Sequence, residues 1–315
     1  MSGNRWQAQI ARKGIRKSRI FATKQAAKDW AAREEHLIMA GAVGYSAATL
    51  GDAMAKYANE VSVTKRGERW EVIRLRKLGR DPIAQKRLSK VDPSDIAAWR
   101  DQQLKTLAPA SVHREMELLS GVFSVARKEW GWIDRNPMTD VRRPKKPPPR
   151  DRRVSQSELD ALAQSAGDDL STVTARTFHA FLFAIETAMR SGEIVGLSWE
   201  DISLSNRVAH LPMTKNGTAR DVPLSREAIR LLEALPHMEP VFGLDSGQRD
   251  ALWRKVRDRA GVADLRFHDA RHEAITRLAR KLDVLDLARM VGHKNLSQLQ
   301  AYYNATASEI AGRLD

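Results

Sequence analysis

VGHKNLSQLQAYYN, residues 291–304, is the stretch on which the reading of this chain turns. A glycine precedes His293, and two adjacent tyrosines, Tyr302 and Tyr303, close the stretch. Ser297 is a reasonable N-cap, which would carry Tyr302 on a short helix. A tyrosine so placed is most often packing, so the stretch acquires meaning only from what precedes it.

Working backwards, RFHDARHEAITRLAR (266–280) puts His268 and Arg271 three apart at the start of a helical run, where they would share a face. RVAHLPMTKNGTARDVPL (207–224) reads as two short strands around Asn216-Gly217, a strong hairpin signal, with Lys215 immediately before the turn. FHAFLFAIETAM (178–189) is apolar nearly all round, as a buried helix is, and Arg190 follows it. Ser191 and Gly192 break that run and Glu193–Leu197 starts another, so Arg190 stands beside a helix N-terminus, a place that suits an anion. Each of these residues alone has an ordinary structural explanation.

Together and in this order, they resemble the tyrosine recombinases of the phage-integrase type. ETAMRSGEIVGLSWEDI resembles the family's first arginine box, TKNGTARDVPL its lysine hairpin, HDARH its HxxR box and GHKNLSQLQAYY its His-to-Tyr box. Ala188 and Met189 stand where Gly-Leu is commoner, Ala270 stands where Leu is usual, and the helix after His272 is less aromatic than typical. None of these departures removes a catalytic group. The resemblance implies catalysis by Arg190, Lys215, His268, Arg271, His293 and Tyr302, with Glu193 bracing them. In that scheme Tyr302 attacks a DNA phosphate, forms a 3′-phosphotyrosine and conserves the bond energy for rejoining. The arginines would stabilise the phosphorane, Lys215 would protonate the departing 5′ oxygen, His268 would assist the tyrosine's proton transfer and His293 would hydrogen-bond the phosphate. Tyr303 is the competing nucleophile, and spacing from His293 favours Tyr302. No cofactor and no metal are expected.

Charge divides the chain. Of 53 Lys and Arg and 39 Asp and Glu, a net +14, residues 154–315 hold 20 against 22, leaving 33 against 17 in residues 1–153. The N-terminal half is therefore expected to grip phosphate, and the near-neutral remainder to do something more selective. Trp6, Ala8 and Ile10 alternate with polar neighbours, Lys13 and Gly14 mark a turn, Ile15–Ala22 supplies a second strand and Thr23 caps a helix. GAVGYSAA (41–48) reads as a linker to a helical segment. Its clearest helix begins at Ser111, with Val112, Met116, Leu119, Val122, Phe123 and Ala126 on one stripe. RRPKKPPPRDRR (142–153) reads as an extended basic linker able to lie along a duplex backbone, and Ser155 with Glu158 opens the next unit with a capping box.

The expectation is a multi-domain fold. Residues 1–45 form a small β-hairpin-plus-helix unit resembling an arm-type DNA-binding unit, and 46–141 an all-α core-binding domain. A basic proline-rich linker spans 142–153, and 154–315 form a mainly α catalytic domain with a small antiparallel β-sheet and a C-terminal tail. Candidate DNA contacts are Arg5, Arg12, Lys13, Arg16, Lys17, Arg19, Arg142, Arg143, Lys145 and Lys146. Partners implied by the resemblance are double-stranded DNA at core and arm sites, three further copies in a tetramer whose tails (304–315) pack on neighbouring subunits, a DNA-bending host factor and an excision factor. Integration and excision of a phage or other mobile element follow from the same resemblance.

Rival readings are a type IB-like topoisomerase and a catalytically silent DNA-binding regulator. The absence of cysteine excludes disulfides, thiolate metal sites and a cysteine nucleophile. No apolar run approaches bilayer length and no secretory signal opens the sequence, so a cytoplasmic, nucleoid-associated protein of a prokaryotic host is expected, with no membrane partner.

Overall fold

The computed structural model describes residues 5–12, 15–39, 47–148, 150–213, 217–293, 295–303 and 311, with 15, 16 and 37–39 described by their backbone. Lys13, Gly14, residues 41–46 of the first linker, Lys215, Asn216 and nearly all of the tail 304–315 lie outside the described residues. Helices predominate, with two small antiparallel sheets. The chain forms two compact units, residues 1–149 and 150–315.

The first unit opens with the expected hairpin, β1 (Trp6–Arg12) on β2 (Ile15–Phe21), followed by α1 (Lys24–Met39). Thr23 Oγ1 accepts from the Ala26 N–H at 3.2 Å, as a cap does. Register puts Ala8 opposite Arg19, Ile10 opposite Lys17 and Arg12 opposite Ile15. Because strand side chains alternate, Arg12, Lys17 and Arg19 share the face on which Ile10 is buried. Arg12 pairs with Glu35 (3.0 Å) and Lys17 with Glu34 (2.8 Å), both on α1. The expected basic sheet is thus partly turned toward its own helix, where two of its cations meet carboxylates.

The helical part holds α2 (Leu50–Glu60), α3 (Glu68–Leu78), α4 (Pro93–Leu104) and α5 (Pro109–Lys128). Capping boxes start α2 (Thr49 with Asp52) and α4 (Asp92 with Asp95). Pro93 and Pro109 occupy first-turn positions, where a missing N–H costs nothing. The stripe read from Val112 to Ala126 is buried throughout and packs on Leu50, Met54 and Tyr57 of α2. Glu115, 1% exposed, ties α5 to Arg74 (3.1 Å) and Lys77 (3.3 Å) of α3.

The basic proline-rich segment makes side-chain contacts at both of its ends. Near its start, the Arg142 carbonyl accepts from Arg100 Nη1 (2.7 Å) and the Pro144 carbonyl lies 3.0 Å from His113 Nδ1. Near its end, Arg150 pairs with Asp264 and Asp269, Arg152 with Glu158 and Arg153 with Glu273. Three of its seven cations are therefore committed to carboxylates of the second compact unit, residues 150–315. Proline keeps the backbone extended, but extension does not prevent docking.

In the second unit α6 (Gln156–Ala166) begins at the expected Ser155–Glu158 capping box. The apolar run forms α7 (Val173–Thr187), covered by α6, α10 (Ser246–Arg259) and α11 (Asp269–Leu278). Phe181 stacks on Trp253 at 4.2 Å and meets the edge of Phe267 at 5.6 Å. After α8 (Ser191–Val195), β3 (Ile202–Ser203), β4 (Val208–Leu211) and β5 (Arg220–Pro223) form an antiparallel sheet in the order 3-4-5. Leu211 pairs with Arg220, and Thr214, Lys215 and Asn216 of the connection between them lie outside the described residues. Helices α9 (Arg226–Glu233) and α12 (Val284–Val291) complete the unit.

Phe181→Ala removes a fully buried ring from two aromatic partners, Trp253 and Phe267. The expected cost is about 3–5 kcal/mol, to be read as a lower denaturation midpoint of residues 150–315.

Candidate functional site

Glu193 organises the site. Ala188 ends α7 in a left-handed conformation (φ 53°), which turns the chain so that Arg190 becomes the cap of the short helix α8. Glu193, one turn on, accepts the Arg190 backbone N–H at 2.7 Å and Arg190 Nη1 at 2.9 Å. The same carboxylate receives Arg220 in a bidentate fork, at 2.9 and 2.7 Å. The anion expected at this helix terminus is thus the protein's own carboxylate. Burial pushes the Glu193 carboxyl up, but the hydrogen bonds from Arg220 and from the Arg190 backbone, with Arg220's charge, hold it down to about 2.

Arg220 was not among the residues singled out from the sequence. It opens β5, and its Nε donates to the Met290 carbonyl at 3.0 Å, tying the sheet to α12. The available signal was alternation: Arg220 and Val222 share one side of β5, and Val222 is fully buried, so an arginine in register with it needs a carboxylate inside. Gly292 is required here for two reasons. Its φ is +69°, and a Cβ would come within 3.1 Å of the Arg220 side chain.

Arg271 and His268 begin α11 but do not share an environment. His268 is the exposed capping residue, whereas Arg271 is 4% exposed. Arg271 donates to the carbonyls of Ala188 and Val291 (2.7 Å for the latter) and from Nη2 to His293 Nε2 at 3.2 Å. Burial and the charges of Arg190 and Arg220 pull it down to about 9, against the raising effects of Glu193 and Tyr302. Its neighbour His293 is pulled down to about 4 by burial and by Arg271, Arg190 and Arg220, so it is neutral at physiological pH. A guanidinium can only donate, so His293 Nε2 accepts and the ring proton sits on Nδ1. That Nδ1 is buried with no hydrogen-bond partner among the described residues. Three guanidiniums around one carboxylate, beside a buried N–H lacking an acceptor, make a site that is short of an anion.

Two hollows flank this cluster. One of about 570 Å³ is bordered by Arg220, Gly292 and His293, and one of about 520 Å³ by Arg190, Glu193, His268 and Met213. Met213 leads into the connection that carries Lys215, whose position lies outside the described residues.

Tyr302 and Tyr303 end a pair of 3₁₀ turns, Leu296–Gln298 and Gln300–Tyr302, and not an α-helix. Asn295, and not Ser297, is the cap: its side chain accepts from the Ser297 N–H at 2.9 Å. The two tyrosines are differently employed. Tyr303 donates its hydroxyl to the Leu282 carbonyl at 2.8 Å, a packing role. The Tyr302 hydroxyl lies 2.9 Å from His272 Nδ1, and His272 Nε2 lies 2.9 Å from Asp151 Oδ1. Burial pushes the Tyr302 phenol up, and the charge of Arg271 opposes this. His272 stood inside the HxxR box without a role, and Asp151 was hidden in the linker.

Of the candidates for phosphate contact in the first unit, Arg5, Arg19, Arg142, Lys145 and Lys146 are exposed, and Arg143 is half-buried. Lys146 and Arg143 lie 3.7 and 3.8 Å from Glu117.

Residues 152–309 match the model of the phage integrase family. A putative integrase/recombinase of Haemophilus influenzae is 40% identical over 300 residues, covering 93% of this chain and 99% of that protein. The chain belongs to the phage integrase family of tyrosine recombinases. Among its relatives in the family, the shufflon-specific DNA recombinase of Escherichia coli is 39% identical over 280 residues, 85% of this chain and 72% of that one. In fold, the chain is similar to a lambda integrase dimer bound to a COC′ core site (TM-score 0.70, 18% identity, covering 90% of this chain and 87% of that one). It is likewise similar to the Tn1549 transposon integrase in complex with circular intermediate DNA (TM-score 0.67, 19% identity, 85% and 99%). No described helix is long and apolar enough to cross a membrane.

Glu193→Ala leaves the Arg220 side chain, 8% exposed, without its counter-charge. The expected loss is about 3–5 kcal/mol of stability at neutral pH. Because the folded carboxyl titrates near 2, below its ordinary 4.5, its contribution is full above 4.5 and disappears as pH falls toward 2. Denaturant titrations across that window should therefore show a steeper acid-dependent loss in the parent than in Glu193→Gln, which keeps the similarly depressed Glu158 and Glu273.

Proposed function

We propose that this integrase-family recombinase cuts one DNA strand at a time with Tyr302, forming a 3′-phosphotyrosine and freeing a 5′-hydroxyl, then reverses the reaction with a strand from a second duplex. The observation that carries the assignment is the anion-deficient cluster of Arg190, Arg220, Arg271 and His293 around Glu193, electrostatically coupled to Tyr302. A phosphate placed there would receive guanidinium N–H groups and the His293 Nδ1 proton. Removing one such preorganised donor costs about 10²- to 10³-fold in rate. Lys215 is the proposed acid for the departing 5′ oxygen; His268, expected to assist the tyrosine's proton transfer, stands at the rim beside Arg190, whereas the imidazole 2.9 Å from the Tyr302 hydroxyl is that of His272.

Residues 46–141 would act as the core-binding domain, 142–153 as the linker between the halves, and 1–45 as the arm-type unit. The active assembly would be a tetramer on two duplexes, the reaction an integration or excision of a mobile element. One structural neighbour is a lambda integrase tetramer bound to a Holliday junction (TM-score 0.66, 18% identity, 88% of this chain and 90% of that one), which is consistent with this reading. The swivelling topoisomerase is not favoured, given relatives named integrase/recombinase and shufflon-specific recombinase.

A nicked suicide substrate tests the nucleophile. Tyr302→Phe should abolish the covalent adduct, and Tyr303→Phe should keep it while lowering stability through the lost bond to Leu282; an adduct surviving in Tyr302→Phe would sink the assignment. Deleting residues 1–45 should spare cleavage at isolated core sites and abolish recombination of a full attachment site. Equal loss of both would count against separate arm recognition.

A further inference from the structure

We infer that His272 is the group that takes the proton from Tyr302 during strand cleavage, and that Asp151 is the positioning residue that keeps His272 in the tautomer able to do so. This rests on the proposed role of Tyr302 and deepens it. Both contacts are 2.9 Å, one at each ring nitrogen of His272. A carboxylate only accepts, so Asp151 holds the imidazole proton on Nε2 and leaves Nδ1 as a lone pair aimed at the tyrosine hydroxyl. The hydroxyl therefore donates to His272, which is the direction in which a proton must travel when the oxygen attacks phosphorus. The arrangement has the logic of a nucleophile, a base and an orienting carboxylate.

The balance is simple. The Tyr302 O–H bond breaks, its proton moves to Nδ1, and the Oη–P bond forms while the P–O5′ bond breaks. The departing oxygen takes a proton from the acid proposed above, Lys215. The imidazolium left on His272 faces the Asp151 carboxylate; in the reverse step the 5′-hydroxyl of another strand attacks, giving its proton to the neutral Lys215 amine, the Oη–P bond breaks and His272 returns its proton to Tyr302 Oη.

The location explains why a base is needed. Tyr302 is half-buried, and burial pushes its phenol up, so spontaneous ionisation is disfavoured in this position. Charged and titratable groups about the relay include Asp151, Arg153 with its partner Glu273, Arg271, and His268 one turn earlier on the same helix. Arg153 is held by Glu273 and lies within electrostatic range of Asp151, and Arg271 is the cation nearest in effect to Tyr302. Backbone supports the ring too: Thr276 Oγ1 donates to the His272 carbonyl at 2.9 Å, fixing the residue within α11. Asp151 is brought to this place by its neighbours, since Arg150 and Arg152 are clamped to Asp264, Asp269 and Glu158. The side chain of Asp151 is 86% exposed, so its orienting effect should be weaker than that of a buried carboxylate.

The test uses the full chain in single-turnover cleavage of a nicked suicide substrate, from weakly acidic to weakly alkaline pH. His272→Asn keeps an acceptor oxygen close to the Nδ1 position but cannot take a proton. It should slow cleavage by about 10²- to 10⁴-fold with DNA affinity unchanged. Any acid limb of the parent's pH profile should vanish, leaving a rate that rises about tenfold per pH unit as hydroxide forms the phenolate. Asp151→Asn should lower the rate by less than the about 10⁴-fold seen for a buried orienting carboxylate, again without loss of affinity.

A substrate with sulfur in place of the scissile 5′ oxygen separates the two proton transfers, because the thiolate leaves without an acid. Lys215→Ala should recover on it and His272→Asn should not. Cleavage by His272→Asn at the parent rate, an unchanged pH profile, or its rescue by the sulfur substrate would each overturn the inference. An adduct persisting in Tyr302→Phe would instead overturn the reading of the nucleophile.

Discussion

One carboxylate among three guanidiniums is the constraint on which the second unit depends. Glu193 receives Arg220 as a two-toothed fork and Arg190 through both backbone and side chain. Arg271, a few residues away in space, spends its donors on carbonyls at the end of α7 and the end of α12. Breaking any of these contacts would leave a charge or a carbonyl stranded where water is scarce, so the ends of α7 and α12 and the start of β5 are held together by electrostatic necessity. The surplus of positive charge that remains is a by-product of the same scaffold, and it is the feature on which the proposed phosphate site rests. Stability and chemistry here share one set of side chains.

A second layer of ion pairs extends this scaffold outward. Arg150, Arg152 and Arg153 each reach a carboxylate of the second unit, and Glu273, 2% exposed, is shared between Arg153 and Arg277. The segment that links the two compact units is consequently part of the wall of the candidate site. It delivers Asp151 to His272, on the same helix as Arg271. Cations of this segment pair with carboxylates of the protein itself, as Arg12 and Lys17 do with Glu35 and Glu34 of α1.

Much of this was legible in the chain before any coordinates. Periodicity sufficed for α7 and α5, whose apolar stripes bury themselves as the pattern requires, and Ser155 with Glu158 marked the start of α6 because a capping box is a local device. The order of Arg190, His268, Arg271, His293 and Tyr302 was visible as motif, and Arg190, Arg271 and His293 do converge. What escaped were features that depend on partners distant in sequence. Nothing near Arg220 announces Glu193, 27 residues away, and nothing near Asp151 announces His272, 121 residues away. Ser297 looked like a cap, but Asn295 took that place, since two short 3₁₀ turns compete with one helix when the segment is brief.

By itself, the sequence determined most of the elements that form, the faces they bury and the order of the candidate side chains, because propensity, capping and hydrophobic period act over a few residues. Only the tertiary structure decided which of two adjacent tyrosines is held by an imidazole and which by a carbonyl, which arginines serve the fold and which the site, and that part of a proline-rich linker lines the chemistry. Those outcomes turn on burial and on charge pairing across long loops, and neither is written in the neighbourhood of any single residue.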